Sequence, residues 1–316
     1  MVRAALRWSA SSLALLFVVT ALTFVLSSLA PGDAATAILS SQSGSYTPEQ
    51  VEQMRHLLGV DQPLWVRYGE WLAGLAHGSL GTDLFSGEPV TEILAARLAP
   101  SLSLVLGTVV VAGVVGTWLG VVSARRGGFA GRLVDLGSLL GFAVPGFWLA
   151  LVLIELFAVR WRVFPPGGYV DYRDDVGDWL AARVATGSAI AAGAVAFVAK
   201  QTRDSMSDVL KQEYITMLRA RGLDERSIVY KHALRNAAIP VVTMLGLTLV
   251  NLLSGAVVIE GIFFLPGLGE RAVVATSDHN LPVITGIAFC FTLVVVTTNL
   301  LVDLAYRALN PRVRHS

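Results

Sequence analysis

Residues 213–259 read EYITMLRARGLDERSIVYKHALRNAAIPVVTMLGLTLVNLLSGAVVI, and their two halves are physically opposite. From Asn236 to Ile259 no residue is charged, so a helix of this length spans the roughly 30 Å of a bilayer's hydrocarbon layer. From Glu213 to Arg235 the chain is densely charged and is cut by Gly222, a helix terminator, with Asp224 placed to cap a second short helix. An apolar span fed by a charged helix–Gly–helix unit is the reading that decides the fold.

The rest of the chain repeats the first half of that pattern. Of 316 residues 54% are hydrophobic and 15% charged, with a mean hydropathy of +0.64. Soluble domains carry about 25% charged residues, so much of this surface must face lipid or other subunits. A net charge of +1 excludes a nucleic-acid-binding chain, and a single cysteine, Cys290, excludes a disulfide framework. Further uncharged windows run over 8–32, 98–124, 136–154, 184–199 and 279–302. The fourth is short and must borrow flanking residues such as Trp179 and Leu180. The expectation is an all-α polytopic membrane protein of six transmembrane helices, since the alternating segments of a barrel are not seen. Arg3 and Arg7 before the first apolar run resemble a secretory leader, but the run is long for one and Pro31 follows it, so it reads as a retained anchor.

Most Lys and Arg fall on one side of this arrangement: Arg3 and Arg7, then Arg125, Arg126 and Arg132, then the cluster from Lys200 to Arg235, then Arg307, Arg312 and Arg314. The positive-inside rule then places both termini in the cytoplasm. The expected organisation is a tip and first span over 1–30, an extracytoplasmic helical lobe over 31–97, a core of five spans over 98–306 and a cytoplasmic tail over 307–316. The core includes a cytoplasmic segment at 200–240.

In the external lobe Thr47, Pro48 and Gln50 have capping-box spacing for a helix carrying Val51, Met54 and Leu57/Leu58 and stopping at Gly59. Asp61 with Pro63 starts a second helix with an aromatic face of Trp65, Tyr68 and Trp71. Pro89 starts a third, ending near Pro100. The lobe is either a lid over helix ends or a docking platform for an external partner. In the cytoplasmic segment Met206, Val209/Leu210, Tyr214 and Met217/Leu218 recur at helical spacing as one apolar stripe. A long connection with such a stripe is either a plain loop with basic anchors or a docking element; loops between spans are usually short, which favours docking.

Catalytic readings fare badly. No histidine lies well inside a span, and His56 and His77 lack a second ligand at metal spacing. The only lysines are Lys200, Lys211 and Lys231, none after a Gly, so no Walker A loop exists and any ATPase must be another polypeptide. Within the spans, Asp135 and Asp303 are expected to pair with Arg132 and Arg307, and Glu155 with Arg160. Asn251, deep in the fifth span near Ser254 and Gly255, either lines a path or joins helices. Glu260 and Pro145 complete the path candidates. The scarcity of buried charge disfavours an ion-coupled carrier.

The stretch from Glu213 to Thr243 resembles the signature loop of binding-protein-dependent ABC importer permeases, more narrowly the dipeptide/oligopeptide/nickel permease family. The resemblance extends in order through PGD (31–33), LGVDQPLWVRYGEWLAGLAHGSLGTD (58–83), SGEPVTEILAARL (86–98), PGFW (145–148), FPPGG (164–168), TRDSM (202–206), PGLGE (266–270) and NPRVR (310–314). It implies the type I ABC importer permease fold and a coupling helix gripped by an ATPase subunit. The residues it assigns to coupling are Glu213, Tyr214, Met217, Leu218, Arg219, Ala220, Arg221, Gly222, Leu223, Asp224, His232, Arg235, Asn236 and Pro240. It further implies a second homologous permease, two ATP-binding subunits that use ATP and Mg, an external solute-binding protein, lipid around the spans, and no cofactor held by this chain. The family's Glu-Ala-Ala is Thr216-Met217-Leu218 here, and the fourth span lacks the proline expected near Thr186. The function implied is half of an alternating-access pathway for peptides. Nickel chelates, haem or another solute are alternatives on the same architecture, and an ATP-independent channel or carrier is the alternative of another class.

Overall fold

The computed structural model describes residues 2–43, 46–161 and 176–309. The FPPGG and NPRVR motifs lie outside them. No strand forms among the described residues; one isolated antiparallel bridge joins Thr82 and Pro89. In lipid every backbone N–H and C=O must be satisfied within the segment, and helices do this.

The helices, in chain order, begin with α1 Val2–Leu29, α2 Ala34–Ser43, α3 Pro48–Leu58 and α4 Leu64–Ala76. Then come α5 Val90–Val111, α6 Thr117–Arg126, α7 Gly128–Ala143, α8 Gly146–Leu153 and α9 Val176–Leu210. The chain continues with α10 Glu213–Ala220, α11 Glu225–Ser227, α12 Leu234–Ile262, α13 Leu268–Ser277 and α14 Leu281–Leu309. Three π-helical segments interrupt or extend them, at Ala112–Gly116, Ile154–Arg160 and Ile228–Ala233.

Four stretches among the described residues are long and apolar enough to cross a membrane: Trp8–Leu29, Val90–Arg126, Glu225–Ile262 and Leu281–Leu309. They contain the expected first, second, fifth and sixth spans. The expected third span is not one helix, because α7 ends where Val144 turns extended (φ −98°, ψ 122°). The residue before a proline is pushed out of the helical region by the ring of Pro145, and α8 starts just after it. The expected fourth window lies inside the 35-residue α9, which does borrow the residues around Trp179.

The chain divides into two compact units. The first comprises Met1–Ser101 and Pro266–Val296. Its core gathers Phe24, Trp71, Leu80, Val90, Leu94, Leu268, Val283 and Ile287. Thr47 caps α3 in a reciprocal capping box with Gln50, and Gly59 ends it at φ +63°. Three expectations for this region are corrected. Leu57 is exposed, so α3 buries no side chain fully. Pro63 occupies the N-cap of α4 with no side-chain cap, and the aromatic face splits, with Trp71 buried and Trp65 77% exposed. The helix after Pro89 does not stop at Pro100 but carries it inside α5.

Buried Asp83 with its donors, and the Arg97–Glu270 pair, are the polar ties within this unit. Asp83, whose side chain is fully enclosed, receives the backbone N–H of Phe85 (2.8 Å) and Ser86 (3.1 Å), the Asn280 amide (3.0 Å) and the Arg271 guanidinium. Burial alone would raise its pKa, but these donors and the Arg271 charge outweigh it and hold the carboxyl below the ordinary range. Arg97 bonds Glu270 at 2.5 Å.

The second unit comprises Leu102–Leu265 and Thr297–Ser316. Gly116 and Gly120, a Gly-x-x-x-Gly pair, bring the backbone close to α9 in this unit. A Cβ on Gly116 would lie 2.8 Å from the Val198 Cβ, and one on Gly120 would lie 2.4 Å from the Thr202 Cβ and 2.7 Å from the Ala199 carbonyl. Small residues let helix backbones approach, which drives association where lipid removes the hydrophobic advantage. Asp135 pairs with Lys200 (3.0 Å) and with Arg203, not with Arg132 as expected. Among the described residues Asp303 forms no salt bridge with Arg307, nor Glu155 with Arg160.

Candidate coupling surface and translocation path

The segment from α10 to the start of α12 is a folded knob with its own punctuation. Glu213 opens α10, and after Arg221 the chain turns through Gly222 at φ +80°, a left-handed conformation that side chains disfavour. The Gly222 N–H reaches the Arg219 carbonyl at 2.9 Å and the Leu223 N–H the Leu218 carbonyl at 3.3 Å, closing the helix end. Asp224 then caps α11 by accepting the Arg226 N–H at 3.0 Å. Across the turn, Arg219 forks onto Glu225 with Nε–Oε2 3.1 Å and Nη2–Oε1 2.8 Å, pinning α10 to α11.

The apolar stripe read from the sequence is not a bare ridge. Met206 and Val209 are buried in a cluster with Val121, Ile215, Ile228, Val229, Ala233 and Ala237, and Tyr214, Leu218 and Leu223 lie half-buried against it. Periodicity located the apolar face correctly but not what covers it; most of it is covered by this unit's own helices. What projects is the opposite edge: Glu213, Thr216, Met217 at 55% exposure, Arg219, Ala220, Arg221, Gly222 and Asp224. Tyr230 joins them, at 48% exposure; the sequence did not single it out.

Behind the knob, the π segment Ile228–Ala233 leads into α12 with His232 half-buried and Arg235, Asn236 and Pro240 exposed. The Asn236 amide donates to the Tyr214 hydroxyl at 2.7 Å, tying α12 to α10. Pro240 sits inside α12 without ending it. The knob is thus connected to a long apolar helix through the Tyr214–Asn236 hydrogen bond, the buried cluster and a π-helical turn.

Higher on α12, Asn251 lines a cavity of about 390 Å³ with Gly141, Gly193, Phe197, Thr248, Leu252 and Gly255 among its walls. Among the described residues no ionisable side chain borders it, and those lining it offer apolar surface, glycine backbone and the polar side chains of Thr248 and Asn251. Of the other path candidates, Ser254 is exposed outside this wall, Pro145 is exposed at the α7–α8 break, and Glu260 is enclosed at 1% exposure. Among the described residues no three His, Cys, Asp or Glu side chains gather as a metal site.

Over residues 116–315 the chain matches the family described as binding-protein-dependent transport system inner membrane component, and over 1–105 the N-terminal part of the same membrane component. The chain belongs to this family. The permease is 39% identical over 308 residues to a peptide transport system permease protein of Brucella abortus, covering 97% of each chain. It is 33% identical over 317 residues to the oligopeptide transport system permease protein AppB of Bacillus subtilis, covering 98% of each. Among solved structures it resembles two inward-facing forms of the MetNI methionine ABC transporter at 18% identity. One has TM-score 0.51, covering 70% of this chain and 97% of that one, and the other has 0.55, covering 69% and 96%. That likeness establishes the type I ABC importer permease fold. Family membership makes the permease an integral inner-membrane protein that works with ATP-binding subunits and a solute-binding protein.

Proposed function

We propose that the permease forms half of an alternating-access pathway for di- and oligopeptides. A solute-binding protein delivers the peptide from outside, a second homologous permease completes the pathway, and two separate ATP-binding subunits using ATP and Mg drive it. The chain itself holds no cofactor and hydrolyses nothing. The external helical lobe over 31–97 faces the binding protein, the core over 98–306 forms the pathway wall, and both termini and the 200–240 segment lie in the cytoplasm.

The observation that carries this reading is the pinned knob at 213–224. Its exposed Met217, Arg219, Ala220 and Arg221 offer a mixed apolar and basic edge to a groove, and Gly222 sets its turn. Force on that edge reaches α12 through the Tyr214–Asn236 bond, His232, Arg235 and the cluster around Ile228. Leu218, Leu223 and Asp224 shape the knob, while Glu213 and Pro240 flank it. Peptide as substrate is supported by the relatives' names, and the uncharged cavity at Asn251 suits a weakly binding path. Ser254, Glu260 and Pro145 are assigned to how the helices around that path move.

Reconstituting the permease with its partner permease and ATP-binding subunits in proteoliposomes tests the reading. Labelled tripeptide offered with the binding protein should accumulate only with ATP and Mg. Flux through the permease alone, without ATP, would establish the channel or carrier instead.

A further inference from the structure

The first unit holds a cavity of about 640 Å³. Ser27 and Ser28, at the end of α1 far from the N-terminus, form part of its wall, so it opens at the depth where the first span leaves the hydrocarbon. The helix on its other side, α4, runs alongside the span rather than beyond it. The Tyr68 hydroxyl lies 2.9 Å from Thr20 Oγ1 and donates to the Phe17 carbonyl at 3.1 Å, and its ring meets Phe24 at 5.0 Å between centroids. Thr20 is about 13 Å along the axis from Leu29, at roughly 1.5 Å per residue. Helix α4 therefore starts near the headgroup level, where Leu64 and Arg67 share the cavity wall with Leu26 and Asp33, and reaches along the span toward its middle at Tyr68; its exposed Trp65 and Val66 suit the interfacial end.

One guanidinium in this cavity feels the charges of Asp33 and Asp61 only at a distance. Arg67 is half-buried and forms no hydrogen bond or salt bridge with any described residue, although it lines the wall. The other charges beside it are engaged: Arg55 with Asp33 at 2.5 Å and Glu52 at 3.4 Å, and Asp61 with His56 at 3.2 Å. Burial pulls the Arg67 pKa down, against the pull of Asp33 and Asp61, yet guanidinium stays charged at any working pH. A half-buried guanidinium calls for an oxyanion, and the apolar Leu26 and Leu64 in the same wall offer a path for hydrocarbon.

We propose that this cavity binds the headgroup of a membrane phospholipid, with Arg67 holding the phosphodiester and the acyl chains leaving between Leu26 and Leu64. The site is independent of the coupling surface and of the solute carried. It would fasten α4, and with it the α2–α4 segment, to the bilayer.

Native mass spectrometry of the full chain in detergent, with dioleoylphosphatidylethanolamine added, tests this. One lipid should survive activation that strips the rest, and Arg67→Gln should weaken its binding about tenfold, the worth of a hydrogen bond to a charged group. Arg67→Lys should retain part of it. Ser27→Trp, which fills the cavity without touching the charge, should evict the same lipid and carries the test if Arg67→Gln does not fold. Unchanged lipid occupancy in either variant, at an unchanged melting temperature, overturns the proposal. So does equal protection of the wild type by millimolar inorganic phosphate, which would make this a simple anion site. Loss of binding-protein docking in Arg67→Gln with lipid retention intact would assign the cavity to a protein partner and overturn it as well.

Discussion

Gly222 and Asp83 show how differently single residues hold this molecule. Around Gly222 there is open space, so a methyl group there meets nothing, and the only cost of Gly222→Ala is the left-handed backbone, about 1–2 kcal/mol. Proline cannot adopt φ +80° at all, and it also removes the N–H that bonds the Arg219 carbonyl. Gly222→Ala is therefore expected to keep most ATP-driven uptake in proteoliposomes and Gly222→Pro to lose more than about tenfold, with both inserting normally. A second residue, Asp83, is an enclosed anion with four donors, and Asp83→Asn leaves the Arg271 guanidinium without its counter-charge. The expected loss is about 3 kcal/mol, read as a lower melting temperature in detergent. Because the folded pKa is depressed, the carboxylate's contribution is full above the ordinary carboxylate range near 4 and is lost as pH falls through the folded value. Wild-type stability should thus drop steeply on acidification below about pH 4, and Asp83→Asn should flatten that dependence.

At the scale of elements, the close approach of α6 to α9 rests on Gly116 and Gly120, where a Cβ would collide with backbone and with Val198 or Thr202. Gly120→Leu should force these helices apart, and a loss of several kcal/mol is expected, read as reduced yield of monodisperse protein, while Gly107→Leu in open space on α5 should be tolerated. The sequence reading did not single out that glycine pair, and nothing in the chain says which helix approaches it. The same limit explains the other differences. Uncharged windows located four spans, because length and absence of charge are sufficient physical conditions for crossing lipid. Thr47, Gly59, Gly222 and Asp224 were legible as caps because capping chemistry is local. The stripe through Met206 and Met217 was legible as a face, yet its covering by Ile228 and Val229 depends on a contact between segments. Pro100 was read as a stop, since proline normally breaks a helix, but it sits in an apolar helix that tolerates it. Pro145, whose motif PGFW was noted only as a likeness, is where the chain does break.

At the scale of the whole molecule, the sidedness of the basic residues predicts that the coupling surface lies at one face of the membrane and the α2–α4 segment at the other. The clusters at 125–132 and 200–235 are cheap to leave in the cytoplasm and costly to carry across, because translocating each charge opposes the membrane potential by about 2.3 kcal/mol per 100 mV. The chain has one cysteine, Cys290, half-buried within α14, so Cys290→Ser gives a clean background for labelling. In that background Thr216→Cys, exposed on α10, and Gln53→Cys, exposed on α3, report the two faces. With a membrane-impermeant maleimide added to intact cells, Gln53→Cys should label and Thr216→Cys should not; in inverted vesicles the pattern should reverse. Labelling of both from the same side would place the knob and the α2–α4 segment together, and no ATP-driven motor could then grip one while a binding protein docks on the other. Adding the ATP-binding subunits to inverted vesicles should protect Thr216→Cys from the maleimide but leave an exposed control, Phe129→Cys, reactive. Protection of neither would mean that the knob, although exposed, is not where the motor takes hold.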